Sequence, residues 1–309
     1  MKRTLGKTVL LTSLLALSAA ACTEQNDGPE GLDSALPTAE QLSIKLPEGQ
    51  SRAVGELAEY YKYTRDITRT LNGSSAWVLV LIHTIVQFPA TTVEGNVYTW
   101  GPWAEGLDPA EYKLVVTAKA NGTYEYQLAG RPRNTTGSFE TVISGTAVPG
   151  ATDAESNGQL LLDFDAAERV NPVDNDGKGQ LTIKYDFAAR TLTLDSVSVE
   201  SNQPVTAHYA YKSQTDGSGD MVFGLRGNAD AGAGLESLTL RSRWQANGSG
   251  RGDARITGGD VGASELTASE CWDNQFRRSY FIAESGSLGG MEGSAASCVF
   301  AAADLPPRV

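Results

Sequence analysis

Along most of the chain, apolar and polar positions alternate. Tyr112, Leu114, Val116 and Ala118 are interleaved with Lys113, Thr117 and Lys119. After Asn121-Gly122, Tyr124, Tyr126 and Leu128 are interleaved with Glu125 and Gln127. Alternation on both sides of Asn-Gly marks a β-hairpin, because these two residues accept the left-handed dihedrals of a tight turn. The period of two returns at Leu160, Leu162 and Phe164; at Leu181, Ile183, Tyr185 and Phe187; and at Leu192 and Leu194. It returns again at Val205, Ala207, Tyr209 and Tyr211, at Met221, Phe223 and Leu225, and at Leu238, Leu240 and Trp244. Segments 251–257, 266–272 and 280–283 complete the series. Val197 and Val199 are out of phase with Leu192 and Leu194, which predicts a bulge near Ser196. From Asn96 onward this amounts to about a dozen short strands with no helix between them. The expected fold is mainly β: an antiparallel meander closed, or nearly closed, into a barrel or half-barrel.

Two earlier segments read differently. In 51–71, Val54, Leu57, Tyr60, Tyr61, Ile67 and Leu71 recur mostly at steps of three and four, Glu56 and Glu59 lie early, and Arg65 and Arg69 lie late. That predicts an amphipathic helix, with Asn72-Gly73 as its stop. Segment 76–88 (AWVLVLIHTIVQF) fits a buried helix or a buried strand; Ser74-Ser75 before it and Pro89 after it favour helix. These helices, over about 51–88, are expected to pack on or plug the apolar face of the sheet.

The first 21 residues read as an address. Lys2, Arg3 and Lys7 precede a short apolar stretch, Ala19-Ala20-Ala21 and then Cys22. This is a secretory signal, too short for a membrane span. The small residues directly before Cys22 resemble a bacterial lipobox, with Ala19 where that family usually has Leu. The resemblance implies cleavage before Cys22, acylation of that residue and, with Thr23 following, sorting to the outer membrane. Residues 22–42 are polar and acidic and read as a flexible tether. Residues 43–309 then form one β-rich domain.

Composition narrows the function. The 309 residues carry 25 Lys+Arg against 37 Asp+Glu, a net charge of −12. Loss of the signal removes three cations, leaving 22 against 37 and a charge of −15. Such a chain is a poor holder of phosphate backbones, so no nucleic acid is expected. Gly is 33 of 309, which fits many turns. With Cys22 acylated, Cys271 and Cys298 are an even pair in an oxidising compartment and are expected to form a disulfide that pins the C-terminal tail to the strand ending at Trp272.

No catalytic motif stands out, and neither a cofactor nor a metal is expected. His83 sits in an apolar run and reads as a hydrogen-bonded core histidine, while His208 falls on the polar face with Thr206 and Lys212. No G-x-S-x-G, H-E-x-x-H or P-loop is present. Asp163 and Asp165 are read as sharing a strand face, the arrangement on which a hydrolase alternative rests. Asp174-Asn175-Asp176-Gly177 and Asp216-Gly217-Ser218-Gly219-Asp220 read as turns, since the EF-hand register fails in the first. Arg251-Gly252-Asp253 is given no functional weight. Trp100-Gly101-Pro102-Trp103 is either an aromatic platform, with Trp100 and Trp103 as ligand contacts, or a plug at the end of the sheet.

Trp100-Gly101-Pro102-Trp103, Arg243-Trp244 with Gly250-Arg251, and Glu270-Cys271-Trp272-Asp273 through Phe276 and Tyr280 resemble uncharacterised lipoproteins of myxobacteria over most of the mature chain. The resemblance implies no activity. The expected function is therefore a lipid-anchored, non-enzymatic envelope protein with a binding or structural role. Its partners would be the membrane, a hydrophobic small molecule held in the barrel, or another envelope protein. The hydrophobic-ligand version follows lipocalins and half-barrel lipoprotein carriers by analogy of fold.

Overall fold

The computed structural model describes residues 28–47, 57–104, 106–200, 202–228, 234–261, 265–283 and 290–306. The signal segment and Cys22 lie outside them. Two short helices, α1 (Leu32–Ala35) and α2 (Ala39–Leu42), precede one long helix, α3 (Glu59–Val86). The meander then runs β1 (Thr92–Glu94), β2 (Val97–Trp103), β3 (Ala110–Ala118), β4 (Tyr124–Pro132), β5 (Glu140–Val148) and β6 (Asn157–Asp163). After helix α4 (Phe164–Val170) come β7 (Gln180–Asp186), β8 (Thr191–Glu200), β9 (Gln203–Ser213), β10 (Gly219–Gly227) and β11 (Glu236–Trp244). Strands β12 (Gly250–Gly258), β13 (Glu265–Trp272), β14 (Arg278–Ala283) and β15 (Gly290–Gly293) end it.

All 15 strands form one antiparallel sheet in strict sequence order, with β1 and β15 as its two unpaired edges. The sheet is open. The hairpins sit where the turn residues place them. In the loop from β3 to β4, Gly122 has φ +82° and Thr123 N–H donates to the Asn121 side chain. Asp216-Gly217 between β9 and β10, and Asn247-Gly248 between β11 and β12, repeat that chemistry.

One face of the sheet is apolar, and helices cover it. Leu114, Tyr126, Leu160, Ile183, Tyr209, Met221 and Trp244 are each at most 2% exposed. They form a single core with Val78, Ile82 and Val86 of α3 and with Leu32, Leu36, Leu42 and Ile44. Five aromatic rings on this inner face lie over a glycine directly across the ladder: Tyr112 over Gly130, Tyr126 over Gly145, Tyr185 over Gly158, Trp244 over Gly219 and Trp272 over Gly250. A Cβ on Gly145 would stand 2.4 Å from the Tyr126 ring. Many of the glycines are thus space for rings rather than turns.

Several expectations are corrected. The two helical segments are one 28-residue helix that runs through Asn72-Gly73. Asn72 does not stop it because its side chain is used elsewhere: Oδ1 accepts from Ile44 N–H (2.9 Å) and Nδ2 donates to Ile44 O (3.0 Å). The helix starts at Glu59, since Ala58 N–H is committed to Phe276 O and Leu57 bridges to Arg277; residues 51–56 lie outside the described residues. The tether is shorter than read, because from Gly28 onward the segment is packed. Tyr124 OH donates to Glu30 O, Tyr185 OH to Ala35 O (3.4 Å), and His83 Nε2 to Leu36 O (3.1 Å). What remains of the tether, 22–27, lies outside the described residues. Strand β8 is regular with no bulge; Val197 and Val199 belong to the outward face and are 56% and 59% exposed. Helix α4 interrupts the strands after Asp163, whose side chain caps it by accepting from Ala166 N–H (2.8 Å).

The start of α3 is held by the sheet. Its N-cap, Ala58, has no side-chain acceptor. Glu270 of β13, fully buried, supplies one instead: its carboxylate accepts from Tyr60 N–H (2.5 Å) and from Arg278 Nε (2.5 Å). One turn on, Thr64 donates to Ser242 (2.8 Å) across the same junction. Among the described residues no helix is long and apolar enough to cross a membrane.

Candidate functional site

The residues singled out from the sequence do not converge. Trp100 is 3% exposed and donates from its indole to Phe88 O (2.7 Å), so it belongs to the core. Trp103 is half-buried against that core after a register shift in β2. With Trp100 in the core, the two rings do not form an exposed pair. Asp163 and Asp165 do not share a strand face. Asp163 caps α4 and accepts from Gln180 Nε2 (3.0 Å), while Asp165 lies in the first turn of α4 and accepts from Gly179 N–H (3.1 Å). His208 Nδ1 meets Asp195 Oδ1 at 2.6 Å on the outward face, but its cross-strand neighbour on β10 is Gly224, which offers no nucleophile. Among the described residues no group of three or more His, Cys, Asp or Glu side chains is placed to hold a metal.

Cys271 and Cys298 are bonded (S–S 2.11 Å, Cα–Cα 5.4 Å). The disulfide ties the C-terminal tail to β13, as expected. Beyond it the tail turns back over the outward face of β11–β13, where the structure assembles a cluster that the sequence reading passed over. Alternation puts Arg241 and Arg243 of β11, Arg251, Asp253 and Arg255 of β12, and Ser269 and Cys271 of β13 on that one face. Arg251 and Asp253, the ends of the Arg-Gly-Asp tripeptide, are 6% and 4% exposed and bound to each other (Nη2–Oδ1 2.7 Å). Asp253 is the hub: it also accepts from Ser269 Oγ (2.6 Å) and from Arg243 Nη2 (3.5 Å). Arg241 makes a bidentate pair with Asp220 (3.1 and 2.7 Å). Desolvation holds the Arg243 guanidinium below its ordinary value, with Asp253 pulling the other way.

The tail lies on this row without strand pairing. Arg243 Nη2 donates to Ala301 O (2.5 Å), Arg241 Nη1 to Asp304 O (3.2 Å) and Arg255 Nη2 to Pro306 O (2.6 Å). Ala303 N–H returns a bond to Asp253 Oδ2 (3.3 Å), and the Phe300 ring sits 5.1 Å from the Arg243 guanidinium. This face holds the chain's own extended tail through the tail's backbone. The visible sequence signal was the spacing of Arg241, Arg243, Arg251 and Arg255 at even intervals on adjacent strands.

The architecture and this face define the chain as an open antiparallel meander filled by its own N-terminal helices. Scans against protein-family models, against curated proteins and against solved structures each returned no match.

Proposed function

We propose that the chain is a lipid-anchored protein of the bacterial cell envelope, placed at the outer membrane, with a non-enzymatic binding and structural role. In this reading it is a half-barrel whose inside is occupied by its own helices and whose polar outward face meets partners. The observation that carries it is the single core in which Val78, Ile82 and Val86 of α3 and Leu32, Leu36 and Ile44 before it fill the inner face. That filling favours a structural or partner-binding role over a carrier of a hydrophobic ligand. Two clefts among the described residues, of about 400 and 380 Å³, are partly open to solvent. The acids on which a hydrolase would rest are engaged with backbone amides. Support for the anchor comes from the sequence Ala19-Ala20-Ala21-Cys22 alone.

Native mass spectrometry tests both parts. Protein extracted from its own membrane should carry acyl chains on Cys22, and a secreted Cys22→Ser form should show a bare polypeptide mass. An unmodified Cys22 overturns the anchor. A lipid that persists in the Cys22→Ser form overturns the filled interior.

A further inference from the structure

We propose that the outward face of β11–β13 is a docking surface for an extended peptide segment of another protein, and that residues 300–306 are its built-in occupant. This rests on the reading of that face as the working surface of a non-enzymatic protein.

The contacts define what the face recognises. Taking Phe300 as the anchor over Arg243, the surface donates to carbonyls one, four and six residues further on and accepts an N–H three residues on. Every hydrogen bond in this set is with the main chain of the occupant, and the Asp304 carboxylate adds electrostatic attraction to Arg241, so the partner is specified by an aromatic residue, an extended backbone and an acidic residue four positions on. Three features make the occupant exchangeable. The tail adds no strand to the sheet, and Ala301, Ala302 and Asp304 are exposed. The surface persists without it, because Arg241 has Asp220, Arg251 has Asp253 and Arg255 has Glu265 as partners of their own. Finally, Arg243 keeps a buried Nε with no partner among the described residues, so its fullest contacts come from the occupant.

The disulfide at Cys298 keeps the tail next to the surface, an arrangement that gives a tethered segment an effective concentration on the order of millimolar. A competing segment must therefore act against a resident one, and the test weakens the resident. The probe is a fluorescein-labelled peptide of residues 299–309, and the protein is the full mature chain in its Cys22→Ser form, read by fluorescence anisotropy. Phe300→Ala with Ala303→Pro removes the tail's aromatic anchor and the N–H that Asp253 accepts, and leaves the sheet untouched. This variant should bind the peptide at least tenfold more tightly than the unmodified chain. Adding Arg255→Ala, and separately Arg243→Ala, should each reverse that gain, with melting curves showing that the fold is retained. Equal affinity for the tail variant and the unmodified chain overturns the proposal, as does binding indifferent to both arginine substitutions. Either failure leaves the mass-spectrometric result for the anchor and the interior standing, so the two readings fail separately.

Discussion

Glu270 carries a role that a buried carboxylate seldom has: it caps a helix from a strand 210 residues away in sequence. Replacing it separates the contributions. Glu270→Ala removes the acceptor for Tyr60 N–H, worth about 1 kcal/mol as a lost cap. It also removes the charge-assisted bond to Arg278, worth about 1.5–3 kcal/mol. Arg278 is 24% exposed and keeps Glu292 at 3.2 Å, so the second loss falls at the low end of that range. The void left in a fully buried site adds to both, for a total of about 3–4 kcal/mol, within the range for breaking a buried pair. Glu270→Gln keeps the shape. Its single carbonyl oxygen can serve Tyr60 or Arg278, and its amide then faces a donor, so it should still cost about 1.5–3 kcal/mol. Urea unfolding followed by tryptophan fluorescence reads both values. A double-mutant cycle with Arg278→Met isolates the pair. High salt should not abolish the effect, since a buried pair is screened far less than an exposed one. If Glu270→Gln lies within about 0.5 kcal/mol of the parent, as surface substitutions do, the capping argument is wrong.

Other outcomes follow from single observations. Gly145→Ala should destabilise by about 1–3 kcal/mol, because its Cβ would meet the Tyr126 ring at 2.4 Å and Gln159 O at 2.5 Å, whereas Gly106→Ala, with nothing within 4 Å, should stay within about 0.5 kcal/mol; thermal melts compare them. Asn72→Ala should raise amide exchange at Ile44 selectively and cost about 1–3 kcal/mol, because both backbone groups of Ile44 lose their partner. The buried tyrosines should leave stability unchanged up to about pH 10 and lower it beyond. Burial, with Glu270 adding to it, pushes the Tyr60 phenol up to about 12, and burial also raises Tyr126, Tyr185 and Tyr209. A raised folded value stabilises fully below the unfolded 10.0 and is lost as pH climbs through the folded one, so Tyr60 alone gives up about 2–3 kcal/mol by pH 12. Urea midpoints measured from neutral to strongly alkaline pH check the sign, and a rise there refutes it.

The meander was legible because alternation is local and each hairpin carries its own turn residues. What sequence hid was non-local. Residues 28–42 read as part of a tether because Leu32, Leu36 and Leu42, scattered in a polar stretch, suggest nothing to bury against. The donors to its Glu30 and Ala35 carbonyls are the hydroxyls of Tyr124 and Tyr185, 94 and 150 residues on. Asn72-Gly73 reads as a stop by local rules, yet a helix tolerates one glycine at about 1 kcal/mol, and here Asn72 gains two bonds to Ile44 from staying helical. Strand β5 escaped notice because Val142 and Ile143 are adjacent and both buried, which breaks alternation where β4 shifts register. The arginine row was visible as spacing, but its occupant lies 50 to 63 residues further along the chain.

The glycines show how composition and register must be read together. A tenth of the chain being glycine suggested turns, and Gly122, Gly217 and Gly248 are turns with positive φ. Gly130, Gly145 and Gly158 lie instead inside strands, and Gly219 and Gly250 open theirs, in a ladder that isolated glycine should weaken. Each faces a tyrosine or tryptophan across the ladder, and the ring covers the bare backbone that the missing side chain exposes. The pairing lets an inner face that also accommodates α1, α2 and α3 carry rings this large, because each ring lies flat along its neighbour instead of standing into the space the helices occupy. A one-residue slip in any of these ladders would set the ring against a side chain and turn it outward, so the aromatic–glycine pairs also fix the register of the meander.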